Sequence, residues 1–269
     1  QDQDSSKYDN LREVFRPGHA DFTFWRKYGI RDHRGGGRSS GRETASRVAG
    51  GAVARKVLSE RGVEILAYAE EIGGVRAENI DREQIEQNAA RCPDPEAARR
   101  MEEAVLEARK EGDSVGGIVR LSVTGVPAGL GDPVFGKLDA MLGRALLSLG
   151  AVKGIEIGAG FAAAGMRGSR FNDPMRGGRF ASNNAGGILG GISTGEEITV
   201  RLAVKPTPSI LADQDTSNIG GDDVSIRIEG RHDPCIVPRL VPVVECMAAL
   251  VILDLWEIQS RLNPGWQAG

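Results

Sequence analysis

Residues 242–262 read PVVECMAALVILDLWEIQSRL, and this stretch predicts a long helix near the end of the chain. Its apolar residues recur at three- and four-residue steps, which places them on one helix face. They are Val244, Met247, Val251, Leu255 and Ile258. Acidic residues in and around the apolar part make the stretch too short and too charged to span a bilayer. The stretch therefore predicts an amphipathic helix rather than a membrane span.

Upstream of this helix, strand patterns and helix patterns alternate along the chain. Alternation of apolar and polar residues predicts strands near residues 63–66, 118–124, 152–157, 199–204 and 224–228. A helix is expected from Thr44, where Ser40 and Glu43 have the spacing of a capping box. A second helix is expected over residues 94–110. A third carries Phe135, Leu138, Leu142, Ala145, Leu146 and Leu149. This mixture predicts an α+β or layered α/β fold, with mixed sheets and long helices.

The chain of 269 residues is consistent with one domain that spans residues 1–269. Residues 75–113 are highly charged and include a Cys-Pro-Asp-Pro turn. We interpret them as a peripheral charged insertion within that domain. No internal repeat indicates a solenoid.

The overall charge excludes some classes of partner. A formal net charge of −3 and an isoelectric point near 5.8 give no indication of nucleic-acid binding. Three cysteines, without metal-ligand spacing and odd in number, favour a reducing, cytoplasmic setting and no metal site. The expectation is a protein that acts on small molecules, without a nucleic-acid or membrane partner.

The basic residues are concentrated in residues 31–44, RDHRGGGRSSGRET. A glycine-rich turn that opens a helix exposes backbone N–H groups, and the helix dipole adds positive charge there. Flanking arginines grip phosphate oxygens through paired donors. The segment lacks the Gly-Lys-Ser/Thr of a Walker loop. It predicts a binding site for a small anion, with a solvated turn as the alternative.

Other stretches carry polar groups beside turns or strand ends. Residues 205–209 (KPTPS) follow a predicted strand and offer contacts to a phosphate or a ring, or form a rigid surface loop. Residues 230–235 (GRHDPC) hold a possible base, or a salt-bridge cluster. Residues 183–195 have two glycine pairs, which let the backbone pack against another strand or lie flat against a planar ligand. His19 lies in residues 16–21 (RPGHAD), where a histidine works as an acid near neutral pH or is simply solvated.

In this order along the chain, these stretches resemble the chorismate synthase family. The resemblance rests on RPGHAD at 16–21, GGGRSSGRETA at 35–45, GVPAGLG at 125–131, NNAGGILGGIS at 183–193, KPTPS at 205–209 and GRHDPC at 230–235. It covers essentially the whole chain.

The resemblance implies a β-α-β sandwich, a homotetramer and reduced FMN as cofactor, with NADPH as a candidate reductant. It implies a 1,4-elimination of phosphate from 5-enolpyruvylshikimate 3-phosphate, which gives chorismate in the shikimate pathway. Such chemistry needs cations around the departing phosphate, a proton source and a base.

The resemblance also implies roles for individual residues. His19 matches a histidine that protonates the reduced flavin, Asp233 an aspartate that helps take the substrate proton, and Ser40 a serine that assists proton movement. The positions that match flavin contacts are Arg38, Ser39, Ser40, Ala151, Gly190, Lys205, Pro206, Thr207, Pro208, Ser209 and Arg231. Arg42 and Arg231 are the candidates for the anionic groups of the substrate.

The family's N-terminal portion, with a Phe-Gly-Glu-Ser-His-Gly motif and a second active-site histidine, has no counterpart in this sequence. We therefore expect an N-terminally truncated family member. The leading hypothesis is an active lyase, and the alternative is a non-catalytic homologue that retains only flavin or phosphate binding, or assembly. A different flavin or nucleotide oxidoreductase is disfavoured, because residues 158–163 form only a weak dinucleotide fingerprint.

Overall fold

The computed structural model describes residues 11–34, 36–228 and 232–266. The strands are β1 (Glu64–Ile72), β2 (Val75–Arg76), β3 (Gly117–Thr124), β4 (Val152–Ile157), β5 (Met175–Arg176), β6 (Arg179–Phe180), β7 (Ile188–Leu189), β8 (Ile192–Ser193), β9 (Ile198–Val204), β10 (Gln214–Ser217) and β11 (Asp223–Ile226). The helices are α1 (Asp21–Tyr28), α2 (Thr44–Glu60), α3 (Pro95–Lys110), α4 (Leu138–Leu147), α5 (Gly168–Phe171) and α6 (Val237–Leu262).

One five-stranded sheet organises these elements, in the order β2-β1-β3-β9-β4. Its recorded pairings are all antiparallel, and three two-stranded hairpins, β5–β6, β7–β8 and β10–β11, lie outside it. The α+β class is confirmed. The strands predicted near residues 63–66, 118–124, 152–157, 199–204 and 224–228 correspond to β1, β3, β4, β9 and β11.

Helices α2, α4 and α6 supply the apolar layer that covers one face of the sheet. Alternate residues of the strands point into this layer, as the period of two predicted. They include Val119, Leu121 and Val123 of β3 and Ile198, Val200 and Leu202 of β9. Helix α2 packs along α6, and α6 also contacts β1 and β3. The core is therefore a sheet-on-helix layer.

The opposite face of the sheet carries charged residues. Glu70 on β1 forms ion pairs with Arg76 (2.7 Å), Arg201 (3.0 Å) and Arg120 (3.6 Å). Arg201 also pairs with Glu156 on β4 at 2.6 Å. A shift in the β1–β3 register leaves Glu70 as the bulged residue. The carboxylate of Glu70 thus links four strands.

Helix α6 begins five residues earlier than predicted, so Pro242 lies inside it. A proline removes the backbone N–H that would pair with the carbonyl four residues before it. Here that carbonyl, of Pro238, accepts a hydrogen bond from Arg91 Nη1 at 3.3 Å. The helix therefore continues through Pro242 with this acceptor satisfied. Ile258, expected on the apolar face, is 40% exposed.

The predicted helix around residues 135–149 is shorter than expected. Helix α4 starts at Leu138, and Phe135 lies before it with 91% of its surface exposed. Leu138, Leu142 and Leu146 are fully buried, so the apolar periodicity was correct and only the boundary was wrong.

Residues 75–113 contribute strand β2 and helix α3 at one edge of the sheet. Asp94 caps α3 by accepting hydrogen bonds from the backbone of Glu96 and Ala97, and Met101 of the helix is fully buried in the core. The helix predicted over 94–110 is confirmed. That this segment is an insertion in a single domain stays a prediction. Among the described residues, no helix has the length and apolar character needed to cross a membrane.

Candidate active site

The register of the central sheet brings several predicted site residues to one sheet edge. Val204, the last residue of β9, pairs with Val152 at the start of β4 and with Gly117 at the start of β3. As a result, Ala151 accepts a hydrogen bond from the backbone N–H of Lys205 at 2.9 Å. Ala151 has a φ of 71°, a conformation that L-residues rarely adopt.

Residues 205–209 leave this edge and reach two other segments. Lys205 Nζ donates to Gly18 O at 2.9 Å, and burial, with a smaller effect of the nearby charge of Lys153, lowers the pKa of Lys205. Ser114 Oγ donates to Thr207 O at 2.7 Å. The next backbone N–H, of Val115, donates to Pro234 O at 2.8 Å. The KPTPS segment therefore lies between the histidine of RPGHAD and the GRHDPC segment.

The glycine-rich turn forms two short 3-10 turns, Gly37–Ser39 and Gly41–Glu43, directly before α2. Gly36 has a φ of 83°, and a Cβ there would lie 2.9 Å from Ser39 Oγ and 3.7 Å from His19 Cε1. Glycine thus permits the turn, and His19 lies within ordinary van der Waals distance of this position. Arg38 and Arg42 are exposed, so their guanidinium groups can reach an anion.

The predicted capping box is wrong. Ser40 Oγ accepts from Arg42 N at 3.4 Å and so caps the second 3-10 turn, and Ser40 N donates to Gly37 O. The Glu43 carboxylate accepts from Arg47 Nε at 2.8 Å, one helical turn later. The extra 3-10 turn between Ser40 and the helix removes the geometry that a capping box requires.

His19 lies against a buried cluster of charges. Its Nδ1 is 3.0 Å from Asp21 Oδ1, and only 15% of its side chain is exposed. Arg16 Nε donates to Asp21 Oδ2 at 2.7 Å, and Arg31 Nη1 is 3.2 Å from Asp21 Oδ1. Asp21 is the first residue of helix α1, so the helix start places its carboxylate beside the histidine.

Arg16 and His19 also line an open cavity of about 630 Å³. Phe22 and Trp25 of α1 and residues 216–221, around the β10–β11 hairpin, form other parts of its lining. A cavity of this size accommodates a small-molecule ligand.

The structure joins some of the predicted residues by direct contacts. His19, the turn at Gly36–Ser40, the Lys205–Pro208 segment and Ala151 form one continuous group. Asp233 connects to it through Pro234, and its carboxylate pairs with Arg239 Nη1 at 2.8 Å.

The contacts described above do not connect Gly190 to this group. Gly190 lies in the turn of the β7–β8 hairpin, and its neighbour Gly191 approaches Lys137 and Gly131. Arg231 lies outside the described residues, as do Gly230 and Gly35.

Sequence reasoning gave no role to Arg16, Asp21 or Arg31, although all three lie in quoted stretches. The signal was the spacing of Asp21, two residues after His19. Arg31 could not be linked to Asp21 from sequence, since it lies ten positions further along the chain, beyond the end of helix α1.

Comparisons with known proteins give a consistent result. A family model described as chorismate synthase matches residues 1–256. A chorismate synthase of Syntrophobacter fumaroxidans is 58% identical over 250 residues, covering 93% of this chain and 71% of the relative. A chorismate synthase of Methanosarcina mazei is 56% identical over 272 residues, which cover 98% of this chain and 74% of that relative. A crystal structure of chorismate synthase superposes with a TM-score of 0.72 at 32% identity, covering 88% of this chain and 69% of the other.

The comparisons, in agreement with the fold, define a carbon–oxygen lyase that acts on phosphates. The chain belongs to the chorismate synthase family. Chorismate synthase function, within aromatic amino-acid biosynthesis, is therefore the function that the comparisons support, and a non-catalytic homologue is not favoured.

Proposed function

We propose that the chain eliminates phosphate from 5-enolpyruvylshikimate 3-phosphate at the site around His19, with reduced FMN as the cofactor. One observation carries this proposal: the glycine-rich turn and the distant KPTPS segment both meet the RPGHAD segment at Gly18 and His19. Lys205 Nζ bonds to Gly18 O, and a Cβ at Gly18 would lie 3.2 Å from Pro208 Cβ. Gly36 of the glycine-rich turn lies against His19.

The residues of this site suit a flavin with its phosphate. Thr207 Oγ1 is buried and has no hydrogen-bond partner among the described residues. A buried hydroxyl without a partner is costly, and a polar ligand atom would satisfy it. The ring and phosphate of FMN would be held by Arg38, Ser39, Ser40, Ala151, Lys205, Pro206, Thr207, Pro208 and Ser209. Gly190 and Arg231 remain candidates by resemblance.

When bound, reduced FMN supplies electron density to the substrate as phosphate leaves. The chain's own residues balance charge and move protons. Arg42 and Arg231 balance the negative charge of the substrate's anionic groups. His19 holds a proton at the ring nitrogen that faces away from Asp21, while Ser40 assists proton movement. Asp233 is the candidate acceptor of the substrate proton, and its pairing with Arg239 keeps a cation beside that carboxylate.

The test is chorismate formation by the full chain, measured by absorbance under anaerobic conditions with FMN and dithionite. We expect turnover in the wild type and a loss of about 100-fold or more in kcat for His19→Gln, because a positioned acid contributes that much. FMN binding, followed by flavin fluorescence, should persist in this variant.

His33→Gln is the matched control, because His33 lies in the arginine-rich segment and has no assigned role. We expect this variant to keep turnover within a few-fold of the wild type. A wild-type chain that binds FMN and forms no chorismate would contradict the proposed activity and favour the non-catalytic homologue.

We further propose a homotetramer in the cytoplasm, with NADPH as a candidate source of electrons for the flavin. Exposed Phe135 (91%) and Phe161 (80%) are candidate contacts in such an assembly. Cys92, Cys235 and Cys246 are free and buried, which suits a reducing compartment. Sedimentation velocity would measure the assembly directly.

A further inference from the structure

The carboxylate of Asp21 is surrounded by cationic groups. It is 3% exposed. Its Oδ2 accepts from Arg16 Nε at 2.7 Å and from the backbone N–H of Arg16 at 3.2 Å. Its Oδ1 faces Arg16 Nη2 at 2.9 Å, His19 Nδ1 at 3.0 Å and Arg31 Nη1 at 3.2 Å. Three side chains thus converge on one buried carboxylate.

This carboxylate is ionised throughout the range of pH in which an enzyme works. Burial alone would raise the pKa of Asp21, but hydrogen bonds from Arg16 and His19 hold it well below its usual range. An ionised carboxylate only accepts hydrogen bonds. Any group that it contacts at hydrogen-bond distance must therefore supply the proton.

Two hydrogen patterns fit the distances around His19 Nδ1. Nδ1 can donate to Asp21 Oδ1 at 3.0 Å, or it can accept from Arg16 Nη2 at 3.1 Å. Arg16 Nη2 already donates to Oδ1 at 2.9 Å, and the three atoms form a nearly equilateral triangle. A bond from Arg16 to Nδ1 would therefore be bent, and it would leave a lone pair of His19 facing a full negative charge. The carboxylate favours the pattern with a proton on Nδ1.

Arg31 fixes the position of Asp21 from the other side. Its side chain is 4% exposed. It donates to the carbonyl oxygen of Leu11 and, at 2.7 Å, to that of Val14. It also lies over the ring of Phe15, 5.7 Å from its centroid. Asp21 is thus held between the side chains of Arg16 and Arg31, and His19 contacts the same carboxylate.

We propose that Asp21 is the positioning residue of this site: it holds the Nδ1–H of His19 and thereby directs Nε2 toward the cavity. This inference rests on the proposed role of His19 as the acid. In the step, Nε2 of the doubly protonated ring gives its proton to the bound ligand, and the ring remains neutral with its proton on Nδ1. Solvent returns a proton to Nε2 afterwards, so no electron transfer or further reactant is needed.

The direct test is to determine the tautomer of His19 by ¹⁵N NMR. The full chain carries ¹⁵N-labelled histidine and is measured without flavin or substrate. The chain has three histidines, and His19→Gln identifies the resonances of His19. For the neutral ring we expect a protonated Nδ1 and an unprotonated Nε2. Asp21→Asn should move the ring toward the Nε2–H tautomer, because the amide can donate to Nδ1. A wild-type ring with its proton on Nε2 would overturn the proposal.

Asp94→Asn is the matched control. Asp94 is likewise a buried aspartate that accepts several hydrogen bonds, but its partners are the backbone N–H groups of Glu78, Asn79, Glu96 and Ala97. This variant should leave the tautomer of His19 and the turnover as in the wild type. If Asp21→Asn does not fold, because Arg16 and Arg31 lose their counter-charge, the wild-type tautomer still decides.

Steady-state kinetics provide a second test. We expect Asp21→Asn to lower kcat by about 100-fold with KM within a few-fold of the wild type, as loss of the correct tautomer does in other acid–base sites. The double variant that carries both Asp21→Asn and His19→Gln should have the same kcat as the His19→Gln variant alone. Additive losses would overturn the proposal. If the tautomer is as expected but His19→Gln keeps full turnover, the acid role of His19 fails and Asp21 is only a structural partner.

Discussion

Glu245 carries a carboxylate into the interface between helix α6 and strand β1. Its Oε1 accepts from Ala67 N at 2.8 Å, and its Oε2 accepts from Arg55 Nη1 at 2.7 Å. Burial raises the pKa of Glu245 above its usual value, while Ala67 N and Arg55 oppose that effect. The folded chain therefore binds this proton more tightly than the unfolded chain. The stabilising contribution is complete below the ordinary pKa and is lost as pH rises through the folded pKa.

We expect Glu245→Gln to flatten the dependence of unfolding free energy on pH above about 4.5, the ordinary pKa of a glutamate. The amide oxygen can still accept from Ala67 N, and Arg55, 40% exposed, can turn to water. The variant should therefore gain stability relative to the wild type as pH rises from 5 to 7. Urea unfolding at both pH values measures this, and parallel curves for the two proteins would contradict it.

At the scale of elements, the contact between α2 and α6 depends on Gly51. A Cβ at Gly51 would lie 2.3 Å from Cys246 Cβ and 2.6 Å from its backbone carbonyl oxygen. Because backbone atoms cannot move aside as a side chain does, the two helices would have to separate. The sequence predicted both helices from their periodicity. It could not show which residue allows them to approach, since the partner lies almost two hundred residues away.

Gly51→Ala should lower the free energy of unfolding by about 1–3 kcal/mol, the usual cost of overpacking. Gly50 is the matched control, because nothing lies within 4 Å of a Cβ at that position in the same helix. Gly50→Ala should stabilise the chain by about 0.5–1 kcal/mol, since alanine favours a helix over glycine. Equal effects of the two substitutions, measured by denaturant unfolding, would show that the helices are not in close contact.

At the scale of the whole molecule, Glu70 joins the strands of the sheet on the face away from the helices. Its carboxylate is 6% exposed and is shared by Arg76, Arg120 and Arg201. Each arginine comes from a different strand, β2, β3 and β9. Removal of one buried carboxylate would leave three positive charges without their common partner.

We expect Glu70→Ala to lower the unfolding free energy by about 3 kcal/mol, the lower part of the range for a broken buried ion pair, because the arginines retain some access to water. Glu64→Ala is the control. Glu64 lies on the same strand and pairs with Arg82 at 3.1 Å, but 62% of its side chain is exposed. Glu64→Ala should lower the unfolding free energy by less than about 1 kcal/mol. Equal losses in urea unfolding would mean that the Glu70 network contributes nothing beyond a surface pair.

The sequence by itself determined the local structure of this protein and the motifs of its site. Periodicity of two and of 3.6 residues located β1, β3, β4, β9, α2 and α3, because side-chain direction in a strand or helix depends only on neighbouring residues. The ends of some elements differed from the prediction. Pro242 was taken as a helix start, whereas α6 continues through it, and Pro238 O accepts a hydrogen bond from the distant Arg91 instead.

The tertiary structure decided which of these motifs meet. The antiparallel register of β9 with β4 places Lys205 beside Ala151, and the fold of residues 11–34 places His19 beside Gly36. The tertiary structure also places Asp21 of the RPGHAD segment between Arg16 and Arg31, where its carboxylate contacts His19. Such contacts depend on strand register and burial, which are set by the whole core. No stretch of sequence contains that information alone.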